Sequence, residues 1–384
     1  MPPANGLGNG VLIGIDASRA VRAQRTGTER YSLELIRHLL ALNGRHHWRL
    51  YFSSPPESGL FAADERVDWR VLRMPRLWTH LGLSWEMVVR PPDVLFVPAH
   101  VLPLWQPARS VVTVHDLGYR RYPEAHPWQQ RWYLEWSTWW NARTATHVLA
   151  DSQATRDDLI ATYDMDPGRI TVVYPGRNES IARVDNPARW AVVRARYGIG
   201  PHYVLYVGTL QPRKNLIRLI QAFARLCARH QDIPPDLELV LAGQPGWLSE
   251  AILAEPRRLR IEHRIRFPGY VDDADLPALI SGALVYAYPS LHEGFGFPVL
   301  EAQACGVPVL TSTVSSLPEV AGDAAWLVEP IDVDAIADGL HRLLTDEWLR
   351  AQLITRGYRN VQRFSWAQTA RQVLNVLEEV GGAA

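Results

Sequence analysis

Apolar and polar positions alternate along the chain in two recurring patterns, short continuous apolar runs and longer stretches with apolar residues at helical spacing. Residues 11–17 form an apolar run of strand length, followed by a polar loop over 18–27 and a helical pattern from about 28 to 42. Further runs predict strands over 48–53, 67–74, 93–99, 110–116, 147–151 and 170–174, with helical patterns between several of them. The stretch 175–187, bounded by Pro175 and Pro187 and carrying Gly176 and Asn178, interrupts this rhythm as an interdomain linker would. A second alternation follows. Its strands are predicted over 203–209, 237–243, 265–269, 284–289, 308–311 and 325–328, and its helices over 216–230, 247–260, 273–282, 297–305 and 334–344.

Strands alternating with helices imply mainly parallel sheets covered on both faces, so the expected class is α/β with two doubly wound, Rossmann-like domains in tandem. The expected division is 1–180 for the first domain, 181–360 for the second, and a C-terminal helix over 361–384 that packs back on the first domain. Ligands of such sheets bind beyond the carboxyl ends of the strands, so two facing domains would place their loops around a central cleft. A length of 384 residues suits two cores better than one.

Composition narrows the function classes. Forty basic residues balance forty acidic ones, which gives no footprint for nucleic acid. Cys227 and Cys305 lie in apolar helical patterns without zinc or redox spacing, which fits buried thiols in a reducing cytoplasm. No apolar stretch reaches the length of a membrane span, and the first ten residues lack the regions of a signal peptide. Ten of the fifteen tryptophans precede residue 141, and Trp128, Trp132, Trp136, Trp139 and Trp140 mark a stripe on one helix. That stripe suits core packing, or else an amphipathic face at an acceptor site or bilayer surface. Residues 66–121 carry eight arginines against four acids among further tryptophans, a mixture compatible with peripheral contact at an anionic membrane.

Thirty-nine of the forty basic residues are arginine, and Lys214 is the only lysine. A compact ammonium on a flexible stem suits a phosphate oxygen; the alternative is a chance survivor of an arginine-biased composition. Lys214 falls in a strand-to-helix loop where Gly208 permits close backbone approach, Asn215 is placed to cap the helix, and Arg213 adds a second cation suited to a diphosphate. The loop lacks the Gly-x-x-x-x-Gly-Lys-Ser/Thr pattern and is not an ATPase P-loop. Further on, Glu293 precedes Gly294, Phe295 and Gly296, and Glu301 follows eight residues after Glu293, with Pro298 suited to a first helical turn. Exposed N–H groups at that helix start would face an anion, Glu293 sugar hydroxyls, and Glu301 a ribose diol; the plain alternative is a turn with two surface acids.

Four weaker signals remain. His115 and Asp116 end an apolar run, as a buried satisfied histidine would, or as a ring at a ligand site with Asp116 orienting it or meeting the acceptor. Arg19, Arg22 and Arg25 follow the first strand with no acid among them, as a positive field for phosphate or as a solvated loop. Ser152 suits a helix N-cap. Asp164 and Asp166 imitate a metal-binding Asp-x-Asp but precede Pro167 and Gly168, as a solvated turn would.

The stretch from Leu291 to Val309 resembles the signature of retaining nucleotide-sugar glycosyltransferases of the GT-B fold, glycosyltransferase family 4. Gly208 and Thr209, the run from Arg213 to Asn215, Gly269 to Val271 and Leu317 to Val320 are similar to that family in order and spacing. The resemblance implies that Arg213 and Lys214 neutralise a donor diphosphate and that Glu301 binds ribose. Glu293 with Gly294, Phe295 and Gly296 would grip the transferred sugar, and Tyr270 and Val271 would line the base pocket. It further implies that Gly27 and Thr28, where the family often has two glycines, approach the donor phosphates, and that His115 hydrogen-bonds the sugar. Neither a metal nor a cofactor is expected, because the cations already offset the leaving-group charge. The overall similarity favours mannosyl transfer from GDP-mannose to a glycan or lipid-linked glycan at the inner face of the cell membrane, in surface-polysaccharide synthesis. UDP-glucose and other hexose donors are alternatives, as are a sugar-nucleotide epimerase and a non-catalytic sugar-nucleotide-binding protein of the same fold.

Overall fold

The computed structural model describes residues 10–21, 27–42, 44–62, 64–74, 77–99, 101–123 and 127–382. The first nine residues, on which the reading of the chain start rests, and Arg22 and Arg25 of the arginine loop lie outside them. The chain divides into two compact units, one comprising 1–117, 129–176 and 364–384, the other 118–128 and 177–363.

The first unit holds a seven-stranded sheet. Its strands are β1 (Leu12–Asp16), β2 (His47–Phe52), β3 (Val67–Val71), β4 (Val94–Val97), β5 (Ser110–Val114), β6 (His147–Ala150) and β7 (Ile170–Val172). They are ordered β3-β2-β1-β4-β5-β6-β7, with every pairing parallel. Both faces of the central strands are covered, so β4 and β5 are buried at every position, as continuous apolar runs require. The helices are α1 (Gly27–Leu40), α2 (Ser84–Val89), α3 (Gly118–Arg121, assigned to the second unit), α4 (Trp128–Thr144) and α5 (Gln153–Tyr163).

The second unit runs from α6 (Pro187–Tyr197) through β8 (Tyr203–Val207), α7 (Leu216–Arg229), β9 (Glu238–Ala242), α8 (Glu250–Arg258), β10 (Ile265–Gly269), α9 (Leu276–Ser281), β11 (Val285–Tyr288), α10 (Phe297–Ala304), β12 (Val309–Ser312), α11 (Leu317–Ala321) and β13 (Ala325–Val328) to α12 (Val333–Thr345) and α13 (Glu347–Asn360). Its six strands are parallel in the order β10-β9-β8-β11-β12-β13. In each sheet the order reverses beside the first strand, at β1/β4 and β8/β11, which is where doubly wound sheets open a crevice. The final helix, α14 (Trp366–Gly381), belongs to the first unit: Trp366 lies edge-on to Tyr31 of α1 at 5.7 Å, and the Gly381 carbonyl accepts from Arg109.

Helix α4 corrects the core-packing reading of the tryptophan stripe. Its buried residues are Ser137, Thr138, Asn141 and Ala142, while Trp132 and Trp139 face solvent. The polar inward face is tolerated because its groups find partners: the Asn141 amide oxygen accepts from the Leu102 N–H at 2.9 Å, and Ser137 donates to the Leu134 carbonyl.

Candidate active site

In the second unit, β8, β11 and β12 are neighbours, so the loops leaving their carboxyl ends converge. After β8 the chain passes Gly208, whose carbonyl approaches Gly243 so closely that a Cβ there would lie 2.0 Å from the oxygen. It then makes a single 3-10 turn over Pro212–Lys214. Asn215 follows in the left-handed region at φ 61° and makes no side-chain cap, contrary to the capping expected of it. Its amide donates instead to the carbonyls of Pro289 at 3.0 Å and Pro330 at 2.6 Å, fastening the turn to two other loops. The Leu291 N–H donates to the Arg213 carbonyl at 2.9 Å, which joins the β8 and β11 loops directly.

These links bring Lys214 and Glu293 together. Lys214 Nζ lies 2.7 Å from Glu293 Oε1 and donates to the Tyr288 hydroxyl, also at 2.7 Å, while Arg213 Nη1 is 3.1 Å from Glu293 Oε2 and also donates to the His292 carbonyl. Lys214 and Glu293 are both buried. Burial by itself would raise the Glu293 carboxyl; the charges of Arg213 and Lys214 and the Lys214 hydrogen bond overcome it and hold the group at about 2. Glu293 is therefore an anion fixed by two cations, and the three side chains carry a net charge of plus one. Burial pushes the hydroxyl of Tyr288 well up, so it remains neutral, and its ring stacks on Tyr206 at 5.7 Å.

The loop after β12 holds the glycine segment from the other side. The Glu293 N–H donates to Ser315 Oγ at 3.0 Å, and Ser316 Oγ bridges the carbonyls of Glu293 and Phe295 at 2.9 and 2.6 Å. Gly296, at φ 115°, is the N-cap of α10, with Pro298 in the first turn, and a Cβ there would come within 2.9 Å of Leu317. Glu301 lies one turn inside α10 and is half-buried. Gly208 and exposed Thr209 share the loop of Lys214; Tyr270 and Val271 follow the edge strand β10, two strands away from β8, with Tyr270 exposed and Val271 buried.

In the first unit, β5 and β6 pair with Val114 opposite Ala150, so the residues that follow them are neighbours. His115 Nδ1 lies 2.5 Å from Asp151 Oδ2. Burial works against charge on His115, but the carboxylate of Asp151, with Asp116 adding at longer range, holds its ring above the usual histidine range. Asp151, not Asp116, orients the ring. Only the parallel register brings Asp151 into place, and its position at the end of an apolar run was the one available signal. Ser152 accepts from the Thr155 N–H at 3.1 Å as the N-cap of α5, and Thr155 Oγ1 donates to the His115 carbonyl at 3.1 Å. Tyr31 of α1 meets the His115 ring edge-on at 4.8 Å.

Gly27 and Thr28 open α1, with Gly27 exposed and Thr28 half-buried. Arg19 is not part of an unopposed positive field, since its guanidinium lies 3.1 Å from Glu29, a buried acid in the first turn of α1. Sequence reasoning also missed Asp16, which ends β1, accepts from the Ser18 N–H at 2.9 Å, and is raised by burial to about 6. Asp164 and Asp166 are turn residues: Asp164 ends α5 in the left-handed region, and Asp166 accepts from the Gly168 N–H at 2.9 Å. His230, Asp232 and His341 form the metal-compatible cluster found among the described residues, at the end of α7 remote from Lys214.

Two family models match the chain, Glycosyltransferase Family 4 over residues 25–180 and Glycosyl transferases group 1 over 194–360. Over 379 residues the chain is 32% identical to O-antigen chain mannosyltransferase B of Escherichia coli, covering 94% of this chain and 98% of that relative. Among solved structures it resembles sucrose-phosphate synthase of Thermosynechococcus elongatus, with a TM-score of 0.75 at 20% identity over 97% of this chain and 100% of that one. It also resembles Anabaena HepE in complex with UDP-glucose, with a TM-score of 0.72 at 19% identity over 96% of this chain and 99% of that one.

Proposed function

The chain belongs to glycosyltransferase family 4 and is a glycosyltransferase of the GT-B fold, and from that premise we propose that it moves a mannosyl group from GDP-mannose to a hydroxyl of a glycan or lipid-linked glycan. In this reading the anomeric configuration is retained and no metal takes part. The C1–O bond to the β-phosphate breaks as the acceptor oxygen bonds to C1 on the same face, and the acceptor proton passes to the departing phosphate oxygen. The observation that carries the proposal is the cluster of Arg213, Lys214 and Glu293, a buried net positive charge at the switch point of the second sheet. Two preplaced cations stabilise the diphosphate charge that develops as the bond breaks, without reorganisation at that moment. A Glu293 held at about 2 is too weak a base to take the acceptor proton at neutral pH, which supports a role in fixing Lys214 and the sugar hydroxyls. Gly208, Thr209, the N–H groups at Gly294–Gly296, Gly27 and Thr28 are assigned to the donor phosphates and sugar, Glu301 to ribose, Tyr270 and Val271 to the base. His115 is assigned to the transferred sugar and Asp116 to the acceptor. The acceptor is placed at the inner face of the cell membrane, in polysaccharide synthesis; no helix of the described residues is long and apolar enough to cross a membrane.

The test is calorimetric titration of the protein with GDP-mannose, UDP-glucose and ADP-glucose, followed by NMR of the product formed on an oligomannoside acceptor in the presence of a chelator. Selective GDP-mannose binding and an α-linked product support the reading. Selective binding of another donor moves the assignment to that sugar nucleotide, and an inverted product overturns the same-face course.

A further inference from the structure

The first unit carries an apolar face with no described partner. A π-helical turn over Trp78–Leu83 runs into α2, and the two bury Trp78, Leu83 and Met87 inward. Outward they present Leu77, Leu81, Trp85 and Val88, one every three or four residues, with Trp85 exposed to 69%. A stripe at that spacing is what a surface helix normally hides. The Ser84 hydroxyl accepts from the Trp105 N–H at 3.3 Å and so sets the exposed Trp105 beside α2. On the other flank, the His80 ring meets Trp136 of α4 at 5.3 Å and Tyr133 at 6.2 Å. The outward stripe of α4, led by Trp132 at 69% exposure, therefore adjoins that of α2.

Charge selects the occupant. Both acids of α2 and α4 are engaged: Glu86 is buried 3.2 Å from Arg70, and half-buried Glu135 accepts from Tyr163 at 3.3 Å. The exposed charges on these elements, Arg90, Arg131 and Arg143, are all positive. A second copy of the chain across a twofold axis would set these like charges near one another. Tryptophan, tyrosine and aliphatic side chains bordered by arginine suit the boundary between headgroups and acyl chains. We propose that the face formed by α2, Trp105 and α4 docks this unit on an anionic phospholipid bilayer. The inference rests on the proposed placing of the acceptor at a membrane and deepens it by naming the surface.

The test is co-sedimentation of the full chain with vesicles of phosphatidylcholine alone and of phosphatidylcholine mixed with phosphatidylglycerol, beside gel filtration and transfer to a water-soluble oligosaccharide acceptor. Salt-sensitive binding to the anionic vesicles alone is expected. Trp85→Gln and Trp132→Gln should each weaken it about tenfold, as loss of a buried large apolar side chain implies. Arg90→Gln and Arg131→Gln should each weaken it about fivefold. Transfer to the soluble acceptor should be unchanged in all four, so the docking surface can fail while the glycosyltransferase assignment stands. No binding to anionic vesicles, binding indifferent to the tryptophan changes, or a dimer that Trp85→Gln dissociates would overturn the proposal.

Discussion

Replacing Lys214 by methionine removes one of the two cations on Glu293 and leaves a chain of similar length in the same space. Glu293 sits at about 2 against an ordinary value of 4.5, so its ionised form is favoured on folding by about 3 kcal/mol. Because the folded value is depressed, that contribution is present above the unfolded value and is lost as the pH falls through about 2. Lys214 supplies the shorter of the two contacts, 2.7 Å against 3.1 Å, and also serves the Tyr288 hydroxyl. Removing one partner of a buried pair costs about 3 to 5 kcal/mol, and the surviving Arg213 places this case near the lower end. The assay is hydrogen exchange at peptides spanning β8 and β11 at neutral pH, where a loss of about 3 kcal/mol lowers protection on the order of a hundredfold. Glu293→Gln made alone and in the same chain should give a double variant that loses less than the sum of the two single losses, since the Lys214–Glu293 contact can be lost only once. Protection within about twofold of wild type in Lys214→Met, or single losses that simply add in the double variant, would refute the pairing as a source of stability.

Lys214→Arg keeps the charge but overfills the buried turn beside Arg213, and should cost about 1 to 3 kcal/mol in the same exchange assay; wild-type behaviour would make the lone lysine a compositional accident. Asp151→Asn removes the carboxylate that holds His115 up, so the ring, followed by NMR, should titrate at lower pH. The stability that the raised histidine contributes in wild type is full below its unfolded value and lost as the pH rises through its folded one; an unmoved titration would remove Asp151 as the orienting group. Glu301→Ala should weaken nucleotide binding roughly tenfold while turnover at saturating donor stays within about twofold, and an equal fall in both would place Glu301 in the chemistry instead. Gly243→Ala forces a Cβ against the Gly208 carbonyl, with an expected loss of about 4 kcal/mol seen as a lower Tm; an unchanged Tm would mean that the loops separate freely.

The sheets were legible in the sequence because parallel strands buried on both faces are written as unbroken apolar runs. Each strand falls within or at the edge of a predicted one; outer strands such as β3, with Asp68 and Arg70, break the apolar run, and the differences at the ends carry information. The run over 110–116 pairs only to Val114, which releases His115 and Asp116 from the ladder, and the run over 203–209 ends as a strand at Val207, with the Gly208 N–H still donating to the Ala242 carbonyl at 2.9 Å before the loop of Lys214 begins. Helix α4 shows the opposite case. Periodicity located its tryptophan stripe but not the side it faces, because the inward face is made of serine, threonine and asparagine whose burial depends on partners distant in sequence.

The candidate site was legible by residue and not by contact. Lys214 stood out by composition and Glu293 by its glycine neighbours, yet 79 residues separate them, and only the order β8-β11 in the sheet makes them partners. The same rule hides Asp151, which meets His115 because β5 and β6 are adjacent. In both units a residue in the loop beyond the carboxyl end of one parallel strand is completed by a residue beyond the end of its lateral neighbour, so the chemistry is encoded in strand order, which no local motif reports. The lone lysine follows from that geometry. Arg213 already fills the space where a planar fork reaches both Glu293 and a backbone carbonyl, and the remaining buried gap between Glu293 and the Tyr288 hydroxyl admits a point donor that a second guanidinium would overfill.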